Sequence, residues 1–379
     1  MSHLVALQHV DQFVGRTMNW LYDHLRFVKD HGPVVLTENL VNRGEFPLLE
    51  ARCFDDKTFR RRVWHKFTGT RLYPSKKRWL QRVKPQLLHS HFGYVAVEDF
   101  QLQKFLQVPW FVSFYGADVY QLGRHDIWRR KYEPLFEQAA KLLVLGPVMA
   151  TALEKLGCPK EKILVHPLGV DVDAIPGKAR ILREGEALKV LFAGTFREKK
   201  GARYVVEGAS LARKAGVNLH LYIAGDAGEK PGDQEAKQEI GRLIRSCGLE
   251  ESVTHCSFVP FQKLIELALS SHVFVVPSVT AADGDAEGTP FVLQQMMATG
   301  MPCIATNHSD IPFLFGEHHH LLVPERDSRA IAERLECYAG NPDRLLEDGL
   351  KLHDRIHSTF NVRACAARLS EIYDAIAFS

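Results

Sequence analysis

One carboxylate, Glu287, sits where a strand hands over to a helix. It belongs to the stretch Thr280-Ala-Ala-Asp-Gly-Asp-Ala-Glu-Gly-Thr-Pro-Phe-Val-Leu-Gln-Gln-Met-Met-Ala-Thr-Gly-Met-Pro302. The preceding run, His272-Val-Phe-Val-Val-Pro277, is apolar and β-branched, as in a buried parallel strand. Thr289 suits the N-cap of the following helix and Pro290 its first position, while Gly300 and Pro302 close it. A helix N-terminus offers unpaired amides and a positive dipole end to an anion such as phosphate. Glu287 beside it repels phosphate, so its carboxylate makes sense as an acceptor for ligand hydroxyls. A nucleotide sugar meets both demands.

A second cluster lies in Thr195-Phe-Arg-Glu-Lys-Lys-Gly201, which follows the strand-like Lys189-Val-Leu-Phe-Ala-Gly194. Lys200 and Arg197 stand just before a helix and suit a diphosphate. The spacing matches neither a P-loop nor a GxGxxG fingerprint, which disfavours a nicotinamide cofactor. In the first half, Leu87-Leu-His-Ser-His-Phe-Gly93 and Trp110-Phe-Val-Ser-Phe114 read as strands whose tips carry His91 and Tyr115-Gly-Ala-Asp118. Strand tips are where ligands bind in open α/β sheets. His91 is either a ligand contact or a packed histidine, and Asp118 either caps the next helix or meets substrate.

These residues need strand–loop–helix units to hold them, and the chain supplies such units throughout. Leu4–Leu7 and Val34–Thr37 read as strands flanking a loop with Gly15 and a helical pattern from Thr17 to Lys29. Lys141–Leu145, Ile163–His166, Asn218–Gly225, Ser252–Pro260, Cys303–Thr306 and Leu321–Pro324 read as further strands. Helical patterns span Gln234–Cys247, Ser328–Cys337 and Asn361 to the end, and a polar, turn-rich loop runs from Gly228 to Asp233. The alternation predicts parallel α/β sheets. A chain of 379 residues implies two cores. The turn Pro167–Asp173 and the looser stretch up to Leu188 place the boundary, with domains expected at 1–172 and 173–355 and a closing segment at 356–379.

The net charge of +3 excludes little. Seven scattered cysteines without a CxxC pair suggest reduced thiols and a cytoplasmic protein, and no apolar run is long enough to span a membrane. The three adjacent histidines His318–His320 are poorly placed to converge on one metal, so no metal site is expected. Residues 57–84 are strongly basic, lack any Asp or Glu, and interleave Phe59, Trp64, Phe67, Tyr73 and Trp79. Such a segment suits an anionic membrane surface or a phosphate-bearing substrate, or else a solvated helical face; no nucleic-acid motif accompanies it.

Taken together, Phe192–Gly201, Tyr222-Ile-Ala-Gly-Asp226 and Pro277–Pro290 resemble the retaining family 4 glycosyltransferases of the GT-B fold. The Ala-Asp-Gly-Asp-Ala-Glu-Gly stretch and Asn307-His-Ser-Asp-Ile-Pro312 look most like the colanic-acid and exopolysaccharide enzymes. Ser90–Gly93, Ser113–Asp118 and His166–Asp171 carry weaker likeness into the first half. The resemblance implies two Rossmann-like parallel-sheet domains facing across a cleft, with the C-terminal helix crossing back to the N-terminal, acceptor-binding domain. It implies a UDP- or GDP-sugar donor, a glycan or lipid-linked acceptor, no further cofactor or obligatory metal, and work in the cytoplasm or at the inner membrane face. By position, Glu287, Lys200, Asp118 and Tyr115 would be catalytic. Arg197, Thr195, Gly288, Thr289, Pro290, Phe291, Gln295 and Gly15 would bind the donor, and His91 the acceptor.

Three positions depart from the family pattern. Gln295 stands where a second glutamate is usual, Thr195 replaces an arginine, and Tyr115 replaces the histidine of a Phe-His-Gly motif. These departures keep two other readings open: a non-catalytic nucleotide-sugar-binding protein, or a GT-B epimerase or phosphorylase.

Overall fold

The computed structural model describes residues 4–15, 18–28, 31–42, 44, 46, 50–55, 58–228 and 232–377. The expected helix ends Thr17 and Lys29, the basic-segment residue Lys57 and the middle of the 228–233 loop lie outside these residues. The chain divides into two compact units, Met1–Gly169 with Val362–Ser379, and Val170–Asn361. Residues 170–172 therefore fall in the second unit, not the first. The segment returning to the first unit begins at Val362, not at 356, because a helix spanning Pro342–Thr359 runs unbroken through residue 355.

The first unit is a seven-stranded parallel sheet of β1 (Leu4–Phe13), β2 (His31–Leu40), β3 (Glu50–Cys53), β4 (Leu87–His91), β5 (Trp110–Phe114), β6 (Lys141–Val144) and β7 (Ile163–Val165). Its order is β3-β2-β1-β4-β5-β6-β7, so the winding reverses between β1 and β4. Every residue of β4 and β5 is buried, as expected of strands covered on both faces. The closing helix, Val362–Ala377, buries Val362, Cys365, Ala366, Leu369 and Tyr373 along one stripe. That stripe packs with Ala6, Leu87, Phe111 and Leu143 in one apolar cluster.

The second unit repeats the plan with β8 (Leu188–Ala193), β9 (Leu219–Ala224), β10 (Val253–Ser257), β11 (Val273–Val276), β12 (Cys303–Thr306) and β13 (Leu322–Val323), in the order β10-β9-β8-β11-β12-β13. Here the winding reverses between β8 and β11, which pair in parallel through Val273 and Val190. The loops leaving these two strands thus emerge side by side, the general ligand position in open α/β sheets.

Several elements were not delimited by the sequence pattern, four of them as follows. β3 is a short edge strand with a polar sequence. The helix Pro342–Thr359 is marked by the Asn341 side chain accepting from the Arg344 amide at 3.1 Å and by Pro342 in its first turn. The basic segment forms two helices, Phe59–Thr68 and Pro74–Val83.

Candidate functional site

In the second unit the loop after β8 and the loop after β11 interlock. Glu198 accepts from the Ala282 amide at 2.9 Å, and the Val279 amide donates to the Lys199 carbonyl at 2.9 Å. Gly201, at φ +66°, starts the helix Ala202–Lys214. A Cβ there would stand 1.8 Å from the Pro277 carbonyl oxygen, so only glycine lets the loops meet this closely.

Two ammonium groups converge on Glu287. Lys200 Nζ lies 3.0 Å from Glu287 Oε1, and Lys199 Nζ lies 3.3 Å from the same oxygen and 3.0 Å from Asp285 Oδ1. Both ammonium groups thus face the same oxygen, and a carboxylate has further lone pairs with which to accept from a ligand. Burial alone would push the Glu287 carboxyl up; the ammonium groups of Lys199 and Lys200 overcome that and hold it at about 2. Burial opposes the charge on Lys199 too, yet Glu287 and Asp285 raise its pKa. Glu287 and Lys199 are thus both charged at neutral pH.

The helix beyond spans Phe291–Ala298, with Pro290 at its N-cap. The expected capping by Thr289 is not made. Thr289 stands one residue too early, and its hydroxyl is buried without a partner. Gly300, at φ +78°, follows the helix end as expected. Gly288, Thr289 and Pro290 lead into the helix, which Phe291 opens; the Leu293 amide donates back to the Pro290 carbonyl at 3.1 Å, and the amides before it are those a helix leaves unpaired. Gln295 is buried. Gln294 beside it is fully buried with both amide atoms unpartnered. Thr195 and Arg197 flank the cationic loop, and Arg197 meets Asp233 at 3.6 Å.

In the first unit, the tips of β4 and β5 bring His91 and Tyr115 together. The Tyr115 hydroxyl is 2.7 Å from His91 Nδ1, and His91 Nε2 is 2.9 Å from Gln8 Oε1. Since Gln8 Oε1 only accepts, His91 Nε2 donates to it and Nδ1 accepts from Tyr115. The Gln8 amide donates to the Tyr373 hydroxyl at 3.3 Å, which contacts His89 Nδ1, and His89 Nε2 reaches Ser113 at 2.8 Å. His89 and His91, two residues apart in β4, share one face and stack at 4.5 Å. Burial, with His9 adding to it, depresses His91 to about 3. Both nitrogens of His91 are engaged within the fold, while half-buried Tyr115 ends the chain of hydrogen bonds.

Asp118 lies within the short helix Ala117–Tyr120, whose N-cap is Gly116, so it does not cap that helix in the expected way. Its carboxylate accepts from the amides of Gly93 at 3.0 Å, Tyr115 at 3.1 Å and Gly116 at 2.9 Å, binding the two strand tips together. Burial raises its pKa despite these three donors. Gly15 lies in the turn after β1, where its carbonyl accepts from the Met18 amide. Among the described residues no cluster could hold a metal, and His320 lies 3.5 Å from Asp348. Lys199 and Asp285 were given no role in the sequence; Lys199 stands next to Lys200 and Asp285 two residues before Glu287, and that proximity was their only signal.

Fold and site together define an open α/β protein with a charged cluster at the strand tips of its second sheet, the general ligand position in such sheets, and the family follows from similarity. Residues 177–354 match the family described as glycosyl transferases group 1, and residues 40–174 the one described as glycosyltransferase family 4. The amylovoran biosynthesis glycosyltransferase AmsK of Erwinia amylovora is 30% identical over 291 residues, covering 76% of this chain and 69% of that protein. The putative colanic acid biosynthesis glycosyltransferase WcaL of Escherichia coli is 28% identical, covering 76% and 70%. The chain belongs to this family and is a glycosyltransferase. Among solved structures, Anabaena HepE in complex with UDP and glucose superposes with a TM-score of 0.80 at 15% identity, over 98% of this chain and 100% of that one. Sucrose-phosphate synthase from Thermosynechococcus elongatus gives 0.79 at 18% identity, over 99% and 100%. At such identities the likeness shows the fold, which is GT-B.

Proposed function

We propose that the chain is a retaining transferase that moves a sugar from a nucleotide-diphosphate sugar to a glycan or lipid-linked glycan acceptor in surface-polysaccharide synthesis. The observation that carries this reading is the Glu287 carboxylate held by Lys199 and Lys200 before a helix N-terminus. Glu287 would use its remaining lone pairs for sugar hydroxyls, and Lys200 with the helix N-terminus would meet the diphosphate. Charge placed in advance at a departing diphosphate lowers the barrier without reorganisation. The second unit would hold the donor. Tyr115 would act from the first, with His91 and Asp118 setting its place. The named roles of AmsK and WcaL in amylovoran and colanic acid synthesis, and UDP and glucose in HepE, support substrate classes of this kind.

The same reading places the enzyme in the cytoplasm at an anionic membrane face. Phe59 and Phe67 are 81% and 82% exposed on a basic helix, although Tyr73 is buried and Trp64 and Trp79 half-buried. No described helix is long and apolar enough to cross a membrane.

A thermal-shift screen of UDP- and GDP-sugars tests the donor assignment, since a ligand that binds the folded state raises the melting temperature. A stabilising donor whose sugar is transferred by the wild type and not by Glu287→Ala is expected. Wild-type turnover by Glu287→Ala would overturn the assignment.

A further inference from the structure

We propose that His308, held by Glu325, is the positioning residue that fixes Glu287 for the donor sugar; this rests on the reading of Glu287 as a sugar ligand. His308 follows β12 and is 2% exposed. Its Nε2 lies 3.1 Å from the Glu287 amide. A backbone N–H only donates, so Nε2 must carry the lone pair and the ring proton must sit on Nδ1. Nδ1 points at Glu325 Oε1, 2.6 Å away, an acceptor that demands this tautomer.

Glu325 is itself anchored. Its Oε2 accepts from the Thr280 amide at 3.0 Å and pairs with Arg326 at 3.1 Å, and Arg326 reaches back to the Thr280 carbonyl. Thr280 opens the acidic loop and Glu287 ends it, so a single histidine–carboxylate pair grips both ends. The pair can do so because β11, β12 and β13 are consecutive neighbours in the sheet, and their tips deliver the loop, His308 and Glu325 side by side. The two lysines hold the Glu287 carboxylate, whereas His308 holds its backbone. An acceptor for ligand hydroxyls needs both fixed, because a binding group must stay within about 0.5 Å of its productive place.

The test compares calorimetric binding of UDP and GDP with that of UDP-glucose and GDP-mannose, alongside turnover. Relative to wild type, His308→Ala should leave nucleoside-diphosphate affinity within about threefold and remove about tenfold or more of the affinity added by the sugar, with kcat falling more than KM rises. His308→Gln, whose amide oxygen can accept where Nε2 did, should restore part of it. Glu325→Ala should act in the same direction. In a background already lacking the Glu287 side chain, His308→Ala should cost nothing further, since it acts through Glu287.

A full sugar increment in His308→Ala, or a loss that simply adds to that of Glu287→Ala, would overturn the positioning role. A full increment in Glu287→Ala would instead overturn the underlying reading of Glu287. Independently of any ligand, NMR of protein with 15N-labelled histidine should show His308 as the Nδ1–H tautomer; the Nε2–H tautomer would refute the proposed geometry.

Discussion

Lys200 Nζ stands 3.0 Å from Glu287 Oε1 because β8 and β11, far apart in sequence, are neighbours where the sheet reverses its winding. Removing either charge should disable transfer. Glu287→Gln keeps the shape and loses the charge, and Lys200→Ala removes the cation; each should lower kcat/KM by about 100-fold or more, judged by losses of comparable electrostatic groups. Sugar-transfer rates check this, with circular dichroism confirming a native fold.

Glu287 also links stability to pH. An unfolded glutamate titrates near 4.5 and the folded one at about 2, so its contribution is fully present above about pH 4.5 and is lost as pH falls toward 2. The difference corresponds to stabilisation on the order of 3 kcal/mol at neutral pH. A denaturant midpoint that is lower for Glu287→Gln at pH 7, with the gap closing at pH 3, would bear this out.

Four histidines of the first unit set a different window. Burial, then neighbouring histidines, holds His24 and His89 well below their ordinary value. Burial likewise takes His91 to about 3 and His166 to about 4. In the unfolded chain these rings take a proton near pH 6.5, and in the folded chain only far below it. Stability is therefore intact above about pH 6.5 and declines as pH falls through the interval down to about 4. All five tryptophans lie in the first unit, so fluorescence reads that unit alone. Its melting temperature should drop between pH 7 and pH 5; a flat profile would contradict the buried neutral rings.

Arg180, 2% exposed, ties two helix ends together. It donates to the carbonyls of Ala268 at 3.0 Å, Ser271 at 2.9 Å and Thr299 at 3.1 Å, and to the Thr299 hydroxyl at 2.9 Å. Arg180→Met would fill the space and strand those carbonyls, so a loss of about 3 kcal/mol or more is expected in urea unfolding. Gly201→Ala should cost a similar amount, because the new methyl group meets the Pro277 carbonyl in a left-handed backbone.

The exposed side of the basic helices predicts binding to anionic vesicles. Replacing Phe59 and Phe67 with serine and reversing the charges of Lys66, Lys77 and Arg78 should abolish co-sedimentation while leaving the melting temperature unchanged. Unaltered sedimentation would remove the membrane from the proposal.

What could be read from the sequence was whatever local pattern fixes. β5 and β12 coincide with their apolar runs, and Glu287 and Lys200 stood out by chemistry and by punctuation with proline and glycine. β1 was seen only in part, because Gln8 and His9 interrupt its apolar pattern and are buried only through partners elsewhere in the fold. Asp118 was ambiguous because its three amide partners come from two separate strand tips, which no local pattern brings together. By itself the sequence determined the parallel α/β architecture and the family, since strand and helix periodicities and loop motifs are written along the chain. Only the tertiary structure decided that Lys199 shares Glu287, that His308 holds its amide, and that Tyr373 from the closing helix joins the His89 and His91 network. Those contacts depend on which strands become neighbours, and a one-dimensional pattern does not carry that order.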